Sequence, residues 1–135
     1  MTTTLQRVLL DAARDTPDGV AIVETNDSAF SFGMLSSLTS RVAARLRQWG
    51  LQNGDRVGIV LPKSVDTVAI ICGVLQAGGV YVPVDPLAPS ARAALILTDC
   101  SARLILTTSE IGVPLCRELE LLRSTADVHM LPTVG

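Results

Sequence analysis

Arg56-Val-Gly-Ile-Val-Leu61, then Pro62-Lys63-Ser64, then the apolar stretch Val65 to Ala77, then Gly78-Gly79 and Val80-Tyr-Val-Pro-Val84, is the run that decides the fold. Its first piece is almost continuously apolar and β-branched, the pattern of a strand buried on both faces. Pro62-Lys63 leaves that strand, and Ser64 has the side chain of a helix N-cap. Val65 to Ala77 is apolar nearly all round, so the helix it predicts needs cover on both sides. Gly78-Gly79 stops the helix, because glycine takes the left-handed conformation of a helix exit without a Cβ clash. Val80–Val84 is then the next strand. The length of Val65 to Val84 would also suit a membrane span, but Asp66, Gln76, Gly78, Gly79 and Pro83 interrupt it. A buried helix running into a strand accounts for it better. A strand, a helix and a strand in this order pair in parallel through a right-handed crossover.

The flanking sequence extends the pattern. Towards the N-terminus, Leu5, Val8, Leu9, Ala12 and Ala13 have helical spacing that ends near Asp15. Thr16-Pro17-Asp18-Gly19 is turn chemistry. Val20 to Glu24 and Ala29 to Phe32 flank Asn26-Asp27-Ser28 and read as a short hairpin. Leu35, Leu38, Val42, Leu46 and Trp49 mark a long helix that Gly50 ends, with Arg41, Arg45 and Arg47 mostly off its apolar stripe. After Asp85-Pro86 a helix opens at Ser90 or a neighbour and runs to Asp99. Arg103 to Thr107 is a strand, Leu115 to Leu122 a weak helix, and Asp127 to Leu131 a last strand. The expected fold is α/β: a doubly wound, mostly parallel sheet with helices on both faces, a single subdomain over residues 1–135. The strands at Val57–Leu61, Val80–Val84 and Leu104–Thr107 are expected at the centre of the sheet.

Composition excludes several functions. The chain has 135 residues, 48% of them hydrophobic, so it can bury a core. A formal net charge of -2 leaves no basic excess to neutralise phosphates, which argues against nucleic acid as a partner. Aromatic residues are 3% of the chain, too few for a base-stacking platform. Cys72, Cys100 and Cys116 are widely spaced and far from His129, so no metal site is expected. Buried free thiols in a reducing, cytoplasmic setting are the expectation. The N-terminus has no apolar core of a signal peptide, and no membrane association is expected.

The usual reactive motifs are absent from the sequence. No G-x-x-x-x-G-K-[ST], G-x-G-x-x-G or G-x-S-x-G occurs, so Ser31, Ser64 and Ser109 lack the turn that would expose a nucleophile. His129 has no Ser or Cys near it in sequence. No catalytic residue is assigned. Ligands of open α/β sheets gather beyond the carboxyl ends of the strands. Those ends carry Pro62-Lys63-Ser64, Asp85-Pro86 and Thr107-Thr108-Ser109. The weak binding candidates are therefore Lys63, which could reach an anion, Ser64, and Asp85, which could accept from a partner. The plainer reading has Ser64 and Asp85 capping the next elements of the chain, Lys63 solvated, and the Thr107-Thr108-Ser109 hydroxyls in a loop and helix cap.

The wording of these pieces resembles the start of the adenylate-forming (AMP-forming) ligases, which include the adenylation domains of nonribosomal peptide synthetases and the acyl-CoA synthetases. Thr16-Pro17-Asp18 followed by Val20-Ala-Ile-Val resembles the family's opening. Phe30-Ser-Phe-Gly-Met-Leu35 resembles its first core motif, with Met34 where Glu is usual. Gly54-Asp-Arg-Val-Gly-Ile-Val-Leu-Pro-Lys-Ser64 resembles its "GDRV" strand and loop. Leu75-Gln-Ala-Gly-Gly-Val-Tyr-Val-Pro-Val-Asp-Pro86 resembles the second core motif and is the most specific signal. Asp99 to Thr107 continues the pattern, whereas Leu87-Ala-Pro-Ser-Ala-Arg92 keeps only Pro89 and Arg92 of the usual text.

The resemblance implies an intact enzyme that uses ATP and Mg²⁺ to make an acyl-adenylate from an amino or other carboxylic acid. It then passes the acyl group to a carrier-protein or CoA thiol. The family's phosphate loop, adenine and ribose contacts and catalytic lysine have no counterpart among these residues. No cofactor is therefore expected on this chain alone, and whether it counts as an enzyme is left open. The first reading is an N-terminal portion of such a ligase, inactive alone, whose partner is the remainder of the ligase or a complementing fragment. The alternative is a ligase-derived, non-enzymatic binding module. An uncovered apolar surface would favour self-association.

Overall fold

The computed structural model of the protein describes residues 11–23 and 29–131. Residues 11–15 are helical. The rest of the expected first helix and the turn at Asn26-Asp27-Ser28 lie outside the described residues. The chain divides into two compact units. One comprises the described residues up to Asn53 together with Lys63–Gly78, and the other comprises Gly54–Pro62 and the described residues from Gly79 onward.

In the first unit, β1 (Val20–Val23) and β2 (Ala29–Ser31) pair antiparallel, with Val23 opposite Ala29 and Val20 opposite Ser31. The helix α1 (Phe32–Gln48) follows β2 without a loop. The change of direction is set by Ser31, whose hydroxyl accepts from the Met34 N–H at 3.1 Å and so satisfies one of the free donors of the first turn. Phe32, expected to be extended, is therefore helical. At the other end Gly50 has φ +88°, and the N–H groups of Gly50 and Leu51 return to the carbonyls of Arg47 and Leu46. That pair of bonds closes the last turn.

The second helix of this unit, α2 (Val65–Gln76), lies against α1. A Cβ on Gly73 would stand 2.5 Å from Val42 Cγ1 and 3.2 Å from the Thr39 carbonyl, so the missing side chain lets the helices approach closely. The Arg47 guanidinium donates to the Gln76 carbonyl at 3.0 Å, placing a cation on the negative end of α2. Leu35, Val65, Ala69 and Cys72 form the buried cluster of this unit, edged by Ala21, Phe30, Phe32 and Leu38.

The second unit holds a four-stranded sheet in the order β4-β3-β5-β6. Its strands are β3 (Arg56–Val60), β4 (Val80–Pro83), β5 (Leu104–Thr108) and β6 (Asp127–Leu131), all paired in parallel. This is the expected α/β class with a parallel sheet. Two helices, α3 (Ser90–Asp99) and α4 (Ser109–Leu121), lie between β4 and β5 and between β5 and β6 in the chain and pack on one another. Val60, Val84, Ala93, Ala94, Leu97, Ala102, Ile105, Leu115 and Leu119 make the core. Both helices exit through a left-handed residue that is not glycine, Ser101 and Arg123, each with φ +56°.

As expected, β3 and β5 are central, and every residue of β5 is buried. The expectation for β4 is corrected: it lies at an edge of the described sheet, with Val80 47% and Tyr81 37% exposed. An apolar run marks a strand without fixing how many neighbours that strand has. Helix α4 also starts at Ser109 instead of near Leu115, and it continues through Pro114.

Candidate functional site

All four strands of the sheet point the same way, so their carboxyl ends share one edge. Register fixes which residues arrive there together: Val60 stands opposite Thr107, Ile59 opposite Pro83, and Thr108 opposite Leu131. Val84-Asp85 and Thr107-Thr108-Ser109 thus open onto the same edge of the second unit. This is the crevice edge at which open α/β sheets bind ligands.

The Thr107 hydroxyl and the Asp85 carboxylate there are already used. Thr107 is fully buried, and its Oγ1 donates to the Val60 carbonyl at 2.9 Å. That hydroxyl ties β5 to β3 and is not directed at a ligand. Thr108 is the N-cap of α4 by backbone, with no side-chain cap bond, and Ser109 is exposed. Asp85 Oδ1 accepts from the Leu87 N–H at 2.9 Å, while its carbonyl accepts from Ala88 at 3.0 Å. Asp85 therefore fixes the turn that leads to α3.

Lys63 and Ser64 belong to the first unit. Lys63 is exposed. Ser64 is the N-cap of α2, accepting from the Thr67 N–H at 3.2 Å with the Thr67 hydroxyl 3.3 Å away. Ser64→Ala is expected to lower stability by about 1 kcal/mol. Urea unfolding of variant and parent measures it, and Ser64→Asp should avoid most of the loss because its carboxylate accepts the same N–H. Sequence reasoning missed the matching cap at Ser31, although Ser-x-x-x before an apolar helix was the signal that could have found it.

At the opposite edge, the Arg103 guanidinium meets Asp55 Oδ2 at 2.9 Å and so joins the amino ends of β5 and β3. His129 lies in β6 opposite Leu106 and is partly buried. The three cysteines are free thiols, and burial pushes the Cys72 thiol up from its ordinary pKa. Among the described residues no group of three or more His, Cys, Asp or Glu could hold a metal ion. No helix among them is long and apolar enough to cross a membrane.

The chain belongs to the AMP-binding enzyme family, which matches it over residues 9–133. Tyrocidine synthase 3 of Brevibacillus parabrevis is 41% identical over 112 residues, 83% of this chain and 2% of that protein. The AMPPNP-bound nonribosomal peptide synthetase FmoA3 superposes with a TM-score of 0.73 at 34% identity, over 79% of this chain and 11% of its own. ATP-bound MatB from Rhodopseudomonas palustris superposes with a TM-score of 0.85 at 27% identity, over 97% of this chain and 25% of its own. The chain thus spans a quarter or less of each of these relatives.

Proposed function

We propose that the chain is the N-terminal part of an AMP-forming ligase. The whole enzyme activates an amino acid or another carboxylic acid as its acyl-adenylate and delivers the acyl group to a carrier-protein or CoA thiol. The observation that carries this reading is the family match across residues 9–133. The higher identity to a peptide synthase, 41%, than to MatB, 27%, favours an amino acid as the acid activated. The setting is cytoplasmic, and the partner is the remainder of the ligase.

The groups present do not fit an ATP site. A triphosphate needs several backbone N–H groups and a cation converging on it. Ser64, Asp85 and Thr107 instead spend their polar atoms on local bonds. In the intact ligase ATP supplies the AMP that activates the carboxylate. The 135-residue chain alone is therefore expected to show neither micromolar binding of Mg·ATP by calorimetry nor pyrophosphate exchange with a panel of amino and aryl acids. Exchange should appear when the chain is joined to a segment bearing the family's phosphate loop and catalytic lysine. Exchange by the chain alone would overturn the proposal.

A further inference from the structure

Residues 80–84 read Val-Tyr-Val-Pro-Val: uncharged, rich in β-branched and aromatic side chains, with Val80–Pro83 forming β4 at an edge of the described sheet. Segments of that composition on an open edge recruit further strands, whether from other copies or from partly folded chains. One residue departs from the pattern, and its position in the pairing is specific. The Val80 N–H donates to the Asp55 carbonyl at 2.8 Å, and the Val84 N–H donates to the Ile59 carbonyl at 2.9 Å. Because strand backbones alternate, Val80, Val82 and Val84 direct their polar groups at β3, while Tyr81 and Pro83 direct theirs away from it.

Pro83 therefore occupies a site where the ladder to β3 needs no N–H. Its missing donor costs the fold nothing, yet an added strand would find only the Tyr81 N–H to accept from and a pyrrolidine ring beside it. Pro83 is exposed, and its ring Cδ replaces the hydrogen that would point away from β3. The Asp85 carboxylate, exposed just past the strand, adds a charge at the end of the apolar run.

We infer that Pro83 is an edge guard: it lets an apolar strand lie open at the side of the sheet while preventing β4 from pairing with a strand of a second copy. The test is Pro83→Thr in the full chain, which restores the N–H and keeps a β-forming residue. At a concentration where both chains retain α/β circular dichroism, light scattering should show association about tenfold faster than in the parent, with a gain in thioflavin fluorescence. Adding Tyr81→Lys to Pro83→Thr places a charge on the same edge and should return association to the parental rate. A P83T chain that associates no faster than the parent overturns the inference. So does a double variant that associates as fast as P83T, since association would then proceed through another surface or through unfolded chains.

Discussion

Replacing Ile105 by alanine is expected to remove about 2–5 kcal/mol of stability. Ile105 is fully buried in β5, opposite Gly58 on β3 and Val128 on β6. It belongs to the cluster that joins the sheet to α3 and α4. A cavity there has little means of collapse. The neighbouring Gly58 has no side chain to move in, and the space above it is already taken by Leu97, which a Cβ on Gly58 would strike. Domains of this size have a net stability of about 5–15 kcal/mol, so the variant should melt roughly 10 °C or more below the parent. Ile105→Val should lose only about 0.5–1.5 kcal/mol. Equal melting of the Ala and Val variants would mean that the site is not close-packed.

Gly78→Val should be the most damaging of the glycine replacements at helix exits. Gly78 has φ +86°, where a β-branched side chain is strained by about 1–3 kcal/mol. A Cβ there would also stand 2.5 Å from Asn53 Oδ1 and 3.6 Å from Asn53 Cα. Gly54 supplies the comparison. Its φ is +84°, nearly the same, but nothing lies within 4 Å of a Cβ placed on it. Gly54→Val therefore reads the backbone strain alone, and the excess loss in Gly78→Val reads the collision with Asn53. Urea unfolding of both variants separates the two. If Gly54→Val proved the more harmful, packing at Gly78 would carry no weight.

Much of this architecture was legible because local chemistry and burial agreed. Ser64 before an apolar run, Gly50 and Gly78 after one, and continuous apolar strands at β3 and β5 each have one physical solution, and the chain takes it. The placement of β4 was less legible, since burial within a strand does not report its neighbours. The corrective signal was nonetheless in the sequence: a proline inside a strand belongs to an edge. Helix α4 was read only over Leu115 to Leu122, and as a weak helix, for a related reason. Gly112 and Pro114 are residue types that disfavour a helix interior. In the fold, Gly112 is a point of close approach to the sheet, where a Cβ would stand 2.9 Å from Met130 Cε and 3.0 Å from Thr107 Cγ2. The candidate binding residues were named by their position at strand ends. Position alone could not tell that Thr107 turns its hydroxyl inward, whereas the plainer reading of Asp85 as a cap agrees with the bond it accepts from the Leu87 N–H.

The bond from Thr107 to Val60 spans 47 residues of sequence, and β3 gains its second neighbour only through that long-range meeting. Closing so large a loop carries an entropic cost that must be met before the contacts of the sheet repay it. During synthesis β3 therefore emerges and pairs with β4 while its other side, the buried run Val57–Val60, still waits for β5 to leave the ribosome. Throughout that interval a nascent chain carries a half-built sheet with a sticky flank. Slowing synthesis after β4 has left the ribosome but before β5 has should prolong its need for chaperones, whereas slowing it once β5 has left should not.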